Sequence, residues 1–239
     1  MRRTPLIATI VTIAALAFGG CVPGVTPPPA DPPSSPPSSG QEGDMRTRLA
    51  RALQPVSPDT ATLVEDAART TLTEVPAEWL DGWILIDVLH YGAHHPRRVY
   101  VALSDTDEVQ LLTGRPDGFN AVVRGTEPSQ DTAADVARTF LDTTRDFRKW
   151  SYRVERVEDV TWLPKPTAEQ SRARDALIKK LRSKITAPRP VADGDAWSVT
   201  LWTVTGTSLV QHELTVRADG TVEDTAVVAE PDLPVPDSM

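Results

Sequence analysis

Proline is concentrated near the N-terminus, and this limits which part of the chain can fold. Eight of the 22 prolines lie between Val22 and Gly40, among five serines and threonines and two glycines. Proline lacks a backbone N–H, and a segment with so few apolar residues cannot build a core. We therefore predict a disordered tether over residues 21–43 and confine the fold to the residues after it. Polyproline-type chain rises about 3.1 Å per residue, so this tether could reach roughly 70 Å.

The residues before the tether have the layout of an export signal. Two arginines precede an apolar run from Leu6 to Phe18, and a Gly-Gly pair stands before Cys21. The run has 13 residues, which is shorter than the roughly 18 that a membrane-spanning helix needs. A permanent transmembrane anchor is thus the weaker alternative, and we predict a cleavable signal over residues 1–20.

The end of this signal resembles the lipobox of bacterial prolipoproteins, at Ala17-Phe18-Gly19-Gly20-Cys21. In that family a diacylglyceryl group is attached to the thiol and the signal is cut before the Cys. The resemblance therefore implies lipidation of Cys21 and a protein anchored through lipid to the outer face of the plasma membrane. Phe18 departs from the family's usual Leu, Val or Ile at its position.

Cysteine content agrees with this interpretation. Cys21 is the only cysteine in 239 residues, so no thiol remains for disulfides, zinc or redox chemistry. A secreted protein with a Cys near its cleavage site is the alternative. Sec export is favoured over twin-arginine export, because Pro5 stands where the twin-arginine motif prefers a large apolar residue.

The charge of the chain argues against a nucleic-acid partner. The formal net charge is −8 at pH 7, and removal of the signal with its two arginines would make the protein more acidic. An acidic protein is repelled by nucleic acid and by anionic lipid. Arginine also outnumbers lysine, which is typical of a GC-rich bacterial genome and suggests an actinobacterial origin.

Residues 44–128 predict helices followed by an antiparallel meander. The first predicted helix is short and covers 44–53. The second is capped by Ser57, has an apolar face that reaches Leu72, and ends before Pro76. Four short apolar segments then predict strands: Trp83–His90, Arg98–Leu103, Glu108–Leu112 and Phe119–Val123.

Residues 129–230 predict a helix, a strand, a second helix and three strands. The two helices and four strands are expected, in chain order, at 131–147, 152–163 with a bulge near Glu155, 167–185, 197–204, 208–217 and 221–229. Thr167 and Gln170 have the spacing of a capping box, and Ala218-Asp219-Gly220 indicates a hairpin. The predicted class is α+β, with antiparallel sheets packed against helices, and residues 231–239 are expected to form a disordered tail.

This element order is similar to that of cystatin-like and NTF2-like proteins, which curl an antiparallel sheet around a helix. The similarity covers roughly residues 129–230 and depends on element order alone, without a diagnostic motif. The first half could form a second lobe of this kind. The similarity implies a concave sheet able to hold a small ligand or a partner, although such folds host unrelated functions.

No known enzyme motif is present, so we expect neither catalytic residues nor a cofactor. The chain lacks G-x-S-x-G, a P-loop, G-x-G-x-x-G and H-E-x-x-H. His90, His94 and His95 are weak metal candidates, because a turn between two strands could bring their imidazoles to one ion. An exposed turn explains them equally well. His212 lies on the apolar side of its strand, which indicates a hydrogen-bonded histidine at the edge of the core rather than a catalytic base.

Asp87 interrupts the apolar run of its predicted strand. It shares a face with Trp83, Leu85 and Leu89, and a buried carboxylate needs a partner or a raised pKa. We expect a position at a strand edge or a pair with an arginine such as Arg98.

One predicted helix is basic in this acidic chain. Six basic residues surround an apolar stripe of Leu177, Ile178, Leu181 and Ile185; they are Arg172, Arg174, Lys179, Lys180, Arg182 and Lys184. Such a surface could bind another envelope protein or an anionic envelope polymer. A solvated helix that packs through its stripe is the alternative.

Together these features favour a membrane-anchored, extracytoplasmic lipoprotein that acts as a non-enzymatic binding or interaction module of the cell envelope. A carrier of a small ligand or lipid, with a cavity between sheet and helix, is the second hypothesis. An extracytoplasmic hydrolase is the third.

Overall fold

A computed structural model describes residues 39–93 and 95–236, without the side chains of residues 39–41. The predictions about the export signal, the lipidation of Cys21, most of the tether and His94 therefore concern residues outside the described part. Within that part, no helix is both long enough and apolar enough to span a membrane.

The described residues form an α+β fold, as predicted. The five α-helices are α1 (Ser39–Leu53), α2 (Pro58–Glu65), α3 (Pro116–Val123), α4 (Gln130–Thr144) and α5 (Ala168–Leu181). The nine strands are β1 (Thr70–Val75), β2 (Trp83–Tyr91), β3 (Pro96–Ser104), β4 (Val109–Leu111), β5 (Ser151–Val154), β6 (Val191–Asp193), β7 (Ala196–Thr205), β8 (Ser208–Arg217) and β9 (Val222–Glu230).

The strands form two antiparallel sheets. The first sheet has the order β1-β2-β3-β4, a meander in which chain neighbours are also sheet neighbours. The second sheet has the order β5-β7-β8-β9, and the short β6 also pairs with β7. Strand β9 is therefore an edge strand. Every strand pair in both sheets is antiparallel.

Three apolar clusters show how the layers pack. In the first cluster, residues of α1 and α2 cover one face of the first sheet, with Leu49, Leu53 and Ile86 fully buried. In the central cluster, α3 and α4 lie between the two sheets, and Phe119 and Phe140 meet edge to face at 5.3 Å. In the third, α5 and residues near the C-terminus cover the outer face of the second sheet. Successive side chains of a strand point to opposite faces of its sheet. Because each sheet has apolar side chains on both faces, helices can pack on both of them.

The second predicted helix is half as long as expected. Helix α2 ends at Glu65, and Leu72, expected on its face, lies in strand β1 instead. There Leu72 is opposite Val88 and its side chain is buried. The segment from Thr70 to Val75 is rich in β-branched residues, which favour a strand when a partner strand is beside them. Helix α1 begins at Ser39, five residues before the predicted start at residue 44, so residues 39–43 of the predicted tether are helical.

Residues 119–123, predicted as a strand, belong to helix α3. Pro116 stands in the first turn and Asp117 supplies the acidic residue favoured at a helix N-terminus. The apolar run alone does not distinguish a buried strand from a buried helix. The proline and acidic residue before the run were the better signal.

The long strand predicted over 152–163 is also wrong, because β5 ends at Val154. Its end coincides with the predicted irregularity near Glu155. The carboxylate of Asp159 accepts hydrogen bonds from the backbone N–H groups of Glu155 and Arg156, at 3.0 and 2.9 Å. This local capping holds a short 3₁₀ turn at Val157–Asp159 in place of the strand.

The predicted capping box is confirmed, and the predicted β8 alternation is confirmed from Glu213 to Arg217, whereas Leu209 on the opposite face is also buried. Gln170 donates its backbone N–H to the Thr167 hydroxyl at 3.2 Å, while Thr167 donates its own to the Gln170 side chain at 2.8 Å. In β8, Leu214 and Val216 are buried and the intervening Thr215 is more exposed.

The expected disordered tail is packed as far as residue 236. Leu233 and Val235 are buried in the cluster beneath α5. Their backbone is also held, since Leu233 donates to the carbonyl of Thr207 at 2.7 Å and Leu163 donates to that of Pro234 at 3.0 Å. The two apolar side chains were the available signal that the tail packs. The prolines and acidic residues around them suggested a disordered tail instead.

Candidate functional site

An open cleft of about 770 Å³ lies between the middle helical layer and the second sheet. Helix α3 and the C-terminal turn of α4 form one wall, while β5, β7, β8 and β9 supply the rest. Of the twenty residues lining the cleft, only four are purely apolar: Pro116, Phe140, Leu141 and Val222. The lining therefore offers many hydrogen-bonding groups beside the apolar parts of its side chains, and a polar ligand can use those groups whereas a lipid chain cannot.

The floor of the cleft continues the inner face of the second sheet. Along β7, the buried Val199 and Leu201 are followed on the same face by Thr203 and Thr205. Along β8, the buried Leu214 gives way to His212. One strand face thus changes from core to polar cleft within two residues.

A line of hydrogen bonds crosses this floor. His212 lies between Asp224 and Thr203, with 2.8 Å from its Nδ1 to the carboxylate and 3.0 Å from its Nε2 to the hydroxyl. The line continues from Thr203 to Thr205 at 3.3 Å and from Thr205 to Ser151 at 3.0 Å. Because a carboxylate accepts, the Nδ1 of the ring donates to Asp224, which leaves the Nε2 of a neutral ring to accept from Thr203.

This line can either bind a ligand or move a proton. A carboxylate, an imidazole and a hydroxyl stand in the same order as in a hydrolytic Asp-His-Ser triad. Thr203 is only 7% exposed and shares its hydroxyl with Thr205. The arrangement is therefore closer to a fixed set of hydrogen-bonding groups than to an accessible nucleophile.

Ion pairs of alternating sign lie along the rim of the cleft beside α4. Arg153 forms ion pairs with Asp142, at 3.1 Å, and with Glu155. Glu155 also accepts from Arg138 at 2.8 Å, and Arg138 reaches Asp135 at 2.7 Å. These pairs connect α4 to β5 and the residues just after it. They also leave the carboxylates of the rim largely neutralised.

Arg145 connects the rim to the first sheet. It donates to the carbonyl of Ser151 at 2.7 Å, and its guanidinium lies 4.6 Å from the ring centre of Phe147. Its Nε is buried and has no hydrogen-bond partner among the described residues. The charge of Arg145 also acts on Asp87 in β2.

Asp87 is paired with Arg98, as expected, but lies in an inner strand rather than at an edge. The Asp87 carboxylate and the Arg98 Nε are 3.1 Å apart, without the alignment of a hydrogen bond. Burial raises the pKa of Asp87 above its ordinary value, and the charges of Arg98 and Arg145 oppose that rise. This pair lies outside the cleft lining.

The basic helix is α5 with the turn that follows it, and half of its charges are neutralised. Ion pairs join Arg174 to Asp175, Lys180 to Glu230, and Arg182 to Glu158. No salt bridge joins the other three, Arg172, Lys179 and Lys184, to an acid among the described residues. All three are exposed. The apolar stripe packs on the second sheet, with Leu181 and Ile185 buried.

The histidine turn shows no metal-binding arrangement in its described part. His90 is buried, and its Nδ1 lies 2.9 Å from the Thr70 hydroxyl. His95 is exposed, and His94 lies outside the described residues. Within 39–93 and 95–236, no group of three or more His, Cys, Asp or Glu side chains is placed to hold an ion.

The sequence placed His212 on the correct face of β8 but did not reveal its partners. Thr203, His212 and Asp224 occupy inward positions on three adjacent strands. Polar residues at inward positions of neighbouring strands were the available signal for a cleft. The register that aligns them is a tertiary property, which the alternation of one strand does not specify.

Comparison with protein-family models, with curated proteins and with solved structures finds no significant match. The similarity of element order to cystatin-like and NTF2-like proteins therefore stays a prediction.

Proposed function

We propose that this protein is a lipid-anchored, extracytoplasmic binding module that takes a small polar ligand in the cleft of its second sheet. The observation that supports the proposal is the floor of the cleft, where three hydroxyls, an imidazole and a carboxylate form one hydrogen-bonded line. Groups fixed in this way are preorganised and lose little entropy on binding.

The pairing of charges narrows the class of ligand. Asp142 and Glu223 lie in ion pairs with Arg153 and Arg217, and Asp224 accepts a hydrogen bond from the Nδ1 of His212. A cationic ligand would have to displace Arg153 or Arg217 to reach Asp142 or Glu223. A neutral molecule rich in hydroxyl or amide groups can instead exchange hydrogen bonds with Thr203, Thr205 and Ser151.

Native mass spectrometry of the mature chain, extracted gently from its membrane, tests the proposal. We expect a co-purified small molecule on the wild type and its loss from Thr203→Val, which removes one hydroxyl at nearly constant volume. Thr200→Val is the matched control, because Thr200 lies on the opposite face of the same strand and does not line this cleft.

Two outcomes would contradict the proposal. A wild type that carries no ligand, and gains none from an extract of its own cells, leaves the cleft without a binding function. Recovery of the ligand as a hydrolysed product, with turnover abolished in His212→Ala, would make the protein a hydrolase in which His212 acts as the base.

Docking on an anionic envelope polymer is the second candidate function, and the exposed side of α5 favours it. Arg172, Lys179 and Lys184 project from an acidic protein and form no ion pair within the described residues. Exposed cations of this kind attract polyanions in a salt-dependent way. The attraction would act in addition to the lipid anchor.

Reversing these three charges to glutamate tests the second candidate. We expect the triple variant to lose retention on cell-wall material and on anionic liposomes at low salt. Reversal of Arg51, Arg69 and Arg97, which are also exposed, changes the net charge equally and is the control. Equal retention of the two triple variants would remove α5 as a docking surface.

A further inference from the structure

Half of the charged side chains that line the cleft are neutralised by an ion pair; these are Asp142, Asp146, Arg153 and Glu223. No salt bridge joins the other half to an oppositely charged Lys, Arg, Asp or Glu among the described residues; they are Asp117, Arg145, Lys149 and Asp224. Asp224 binds the ring of His212, which is neutral in the arrangement above. The cleft therefore contains two cations and two carboxylates whose charges a ligand can pair.

The two cations lie at the end of the cleft beside β5. Arg145 donates to the carbonyl of Ser151, the first residue of β5, at 2.7 Å. Within the described part of the chain this is its only hydrogen bond, although a guanidinium has five N–H donors. Lys149 lies two residues before β5 and is exposed. Because the acids at this end, Asp142 and Asp146, already bind arginines, this end can accept a carboxylate.

The two carboxylates lie at the opposite end, beside β9. Asp224 belongs to β9 and gives one of its oxygens to His212. Asp117 stands in the first turn of α3, one turn before Asn120. The Asn120 side chain holds α3 on β9, because it binds the N–H and the C=O of Val222 at 2.8 and 3.0 Å. This end of the cleft can accept an ammonium group.

The width of the second sheet sets the separation of the two ends. Strands β5 and β9 are three strand spacings apart in the order β5-β7-β8-β9, which is about 14 Å at the usual distance between neighbouring strands. A charge-assisted hydrogen bond takes up about 3 Å at each end, which leaves roughly 8 Å for the ligand. Extended peptide rises about 3.3 Å per residue, so about two or three residues fit. The two charged groups of a free amino acid are too close together to reach both ends.

We propose that the ligand of this cleft is a short peptide of about two or three residues, with its C-terminal carboxylate against Arg145 and Lys149 and its N-terminal ammonium against Asp117 and Asp224. This assignment rests on the proposed function of the cleft and names the class of its ligand. The main chain of such a peptide has no net charge, so it does not compete for Arg153. Its amide groups can exchange hydrogen bonds with the hydroxyls of the floor, which donate and accept.

Isothermal titration calorimetry of the full chain, prepared as for native mass spectrometry, tests the assignment with trialanine as the probe. Nα-acetyl-trialanine lacks the ammonium charge and trialanine amide lacks the carboxylate charge. We expect trialanine to bind, and each modified form to bind at least about ten-fold more weakly, because each leaves one charged end of the cleft without its charge-assisted hydrogen bonds. This comparison needs no variant of the protein.

Arg145→Gln shows which end of the peptide lies beside β5. This variant should lose most of its preference for trialanine over the amide, while its preference over the acetylated form stays. Arg97→Gln is the matched control and should keep both preferences, because Arg97 is exposed on the first sheet and does not line the cleft. Lys149→Gln changes an exposed side chain and should weaken the preference over the amide even if Arg145→Gln fails to fold.

No binding of trialanine, or equal binding of all three probes by the wild type, would overturn the assignment. A sugar or another uncharged compound as the co-purified ligand would overturn it as well, but would leave the proposed binding function intact. A protein that carries no co-purified molecule and binds none of the probes would contradict both.

Discussion

At the scale of single residues, Asp87 makes stability depend on pH. The ordinary pKa of this carboxyl is 3.8, and burial raises it in the folded protein despite the nearby charges of Arg98 and Arg145. Between the two pKa values the folded protein binds the proton more readily than the unfolded chain does. The free energy of unfolding therefore falls as the pH rises through that interval.

We expect Asp87→Asn to remove this dependence. Relative to the wild type, the variant should gain in free energy of unfolding as the pH increases from about 4 to 7. Urea titrations of both proteins at several pH values measure the difference. Parallel pH profiles for the two proteins would mean that Asp87 ionises as readily folded as unfolded.

Substitutions at two glycines would distinguish the cost of backbone strain from the cost of a steric clash. Gly206 and Gly220 both have positive φ, 56° and 85°, a region that costs a residue with a Cβ roughly 1–2 kcal/mol. A Cβ at Gly206 meets open space, whereas one at Gly220 collides with the carbonyl of Val123 and the side chain of Thr126. The β8–β9 turn is thus packed tightly on the end of α3.

Gly220→Ala should therefore destabilise the protein more than Gly206→Ala. We expect the Gly206 variant to lose about 1 kcal/mol of unfolding free energy from strain alone. The Gly220 variant should lose clearly more, because backbone atoms must move. Urea midpoints measured at one pH give the comparison, and equal losses would show that the turn shifts away from α3 at little cost.

At the scale of elements, the Thr167 side chain is one of two that cap the N-terminus of α5. The Thr167 hydroxyl accepts the backbone N–H of Gln170. Thr167→Ala should lower the free energy of unfolding by about 1 kcal/mol, while Thr167→Ser keeps the hydroxyl and should lose little. Thermal unfolding of the three proteins measures this. A serine variant as unstable as the alanine variant would point to the methyl group of Thr167 instead.

Local signals predicted some elements well and could not predict others. The α5 cap and the β8 alternation depend on neighbours a few residues away, and the sequence displays both. Strand β1 depends on β2, which supplies the partners of Leu72 and its neighbours. Without that partner, the apolar spacing before Pro76 fits a helix equally well.

The cleft was harder to predict than the elements around it. Its chemistry arises where Thr203, His212 and Asp224 meet across three strands. Each residue alone is unremarkable in a strand, and only the register joins them. The basic helix was visible in the sequence, but the partners that neutralise Lys180 and Arg182 are distant in the chain.

At the scale of the whole molecule, the central cluster joins both halves of the chain. It combines Leu85 and Tyr100 of the first sheet with Phe140 of α4 and with Leu201 and Leu214 of the second sheet. Separating the halves would expose this surface to water at about 25 cal/mol per Å² of apolar area. We therefore expect the halves to unfold together.

Equilibrium unfolding in urea should show a single transition. Tryptophan fluorescence and far-UV circular dichroism should give coincident curves, the usual sign of two-state behaviour. Two separated transitions would mean that the sheets belong to domains that unfold independently.

Replacement of Cys21 by serine tests the anchor predicted from the N-terminal sequence. We expect Cys21→Ser to move the protein from the membrane fraction to the soluble fraction, because the variant lacks the thiol that is predicted to carry the lipid. The distribution is measured by fractionation and immunoblotting. Retention of the variant in the membrane would assign anchoring to the uncleaved apolar run.

The packed C-terminal residues also determine when α5 can complete its packing during synthesis. The cluster under α5 needs Leu233 and Val235, which leave the ribosome more than fifty residues after the helix itself. Until these two residues have been made, the apolar cluster that buries the stripe of α5 is incomplete. In that interval more apolar surface is accessible to proteases and chaperones than in the folded protein.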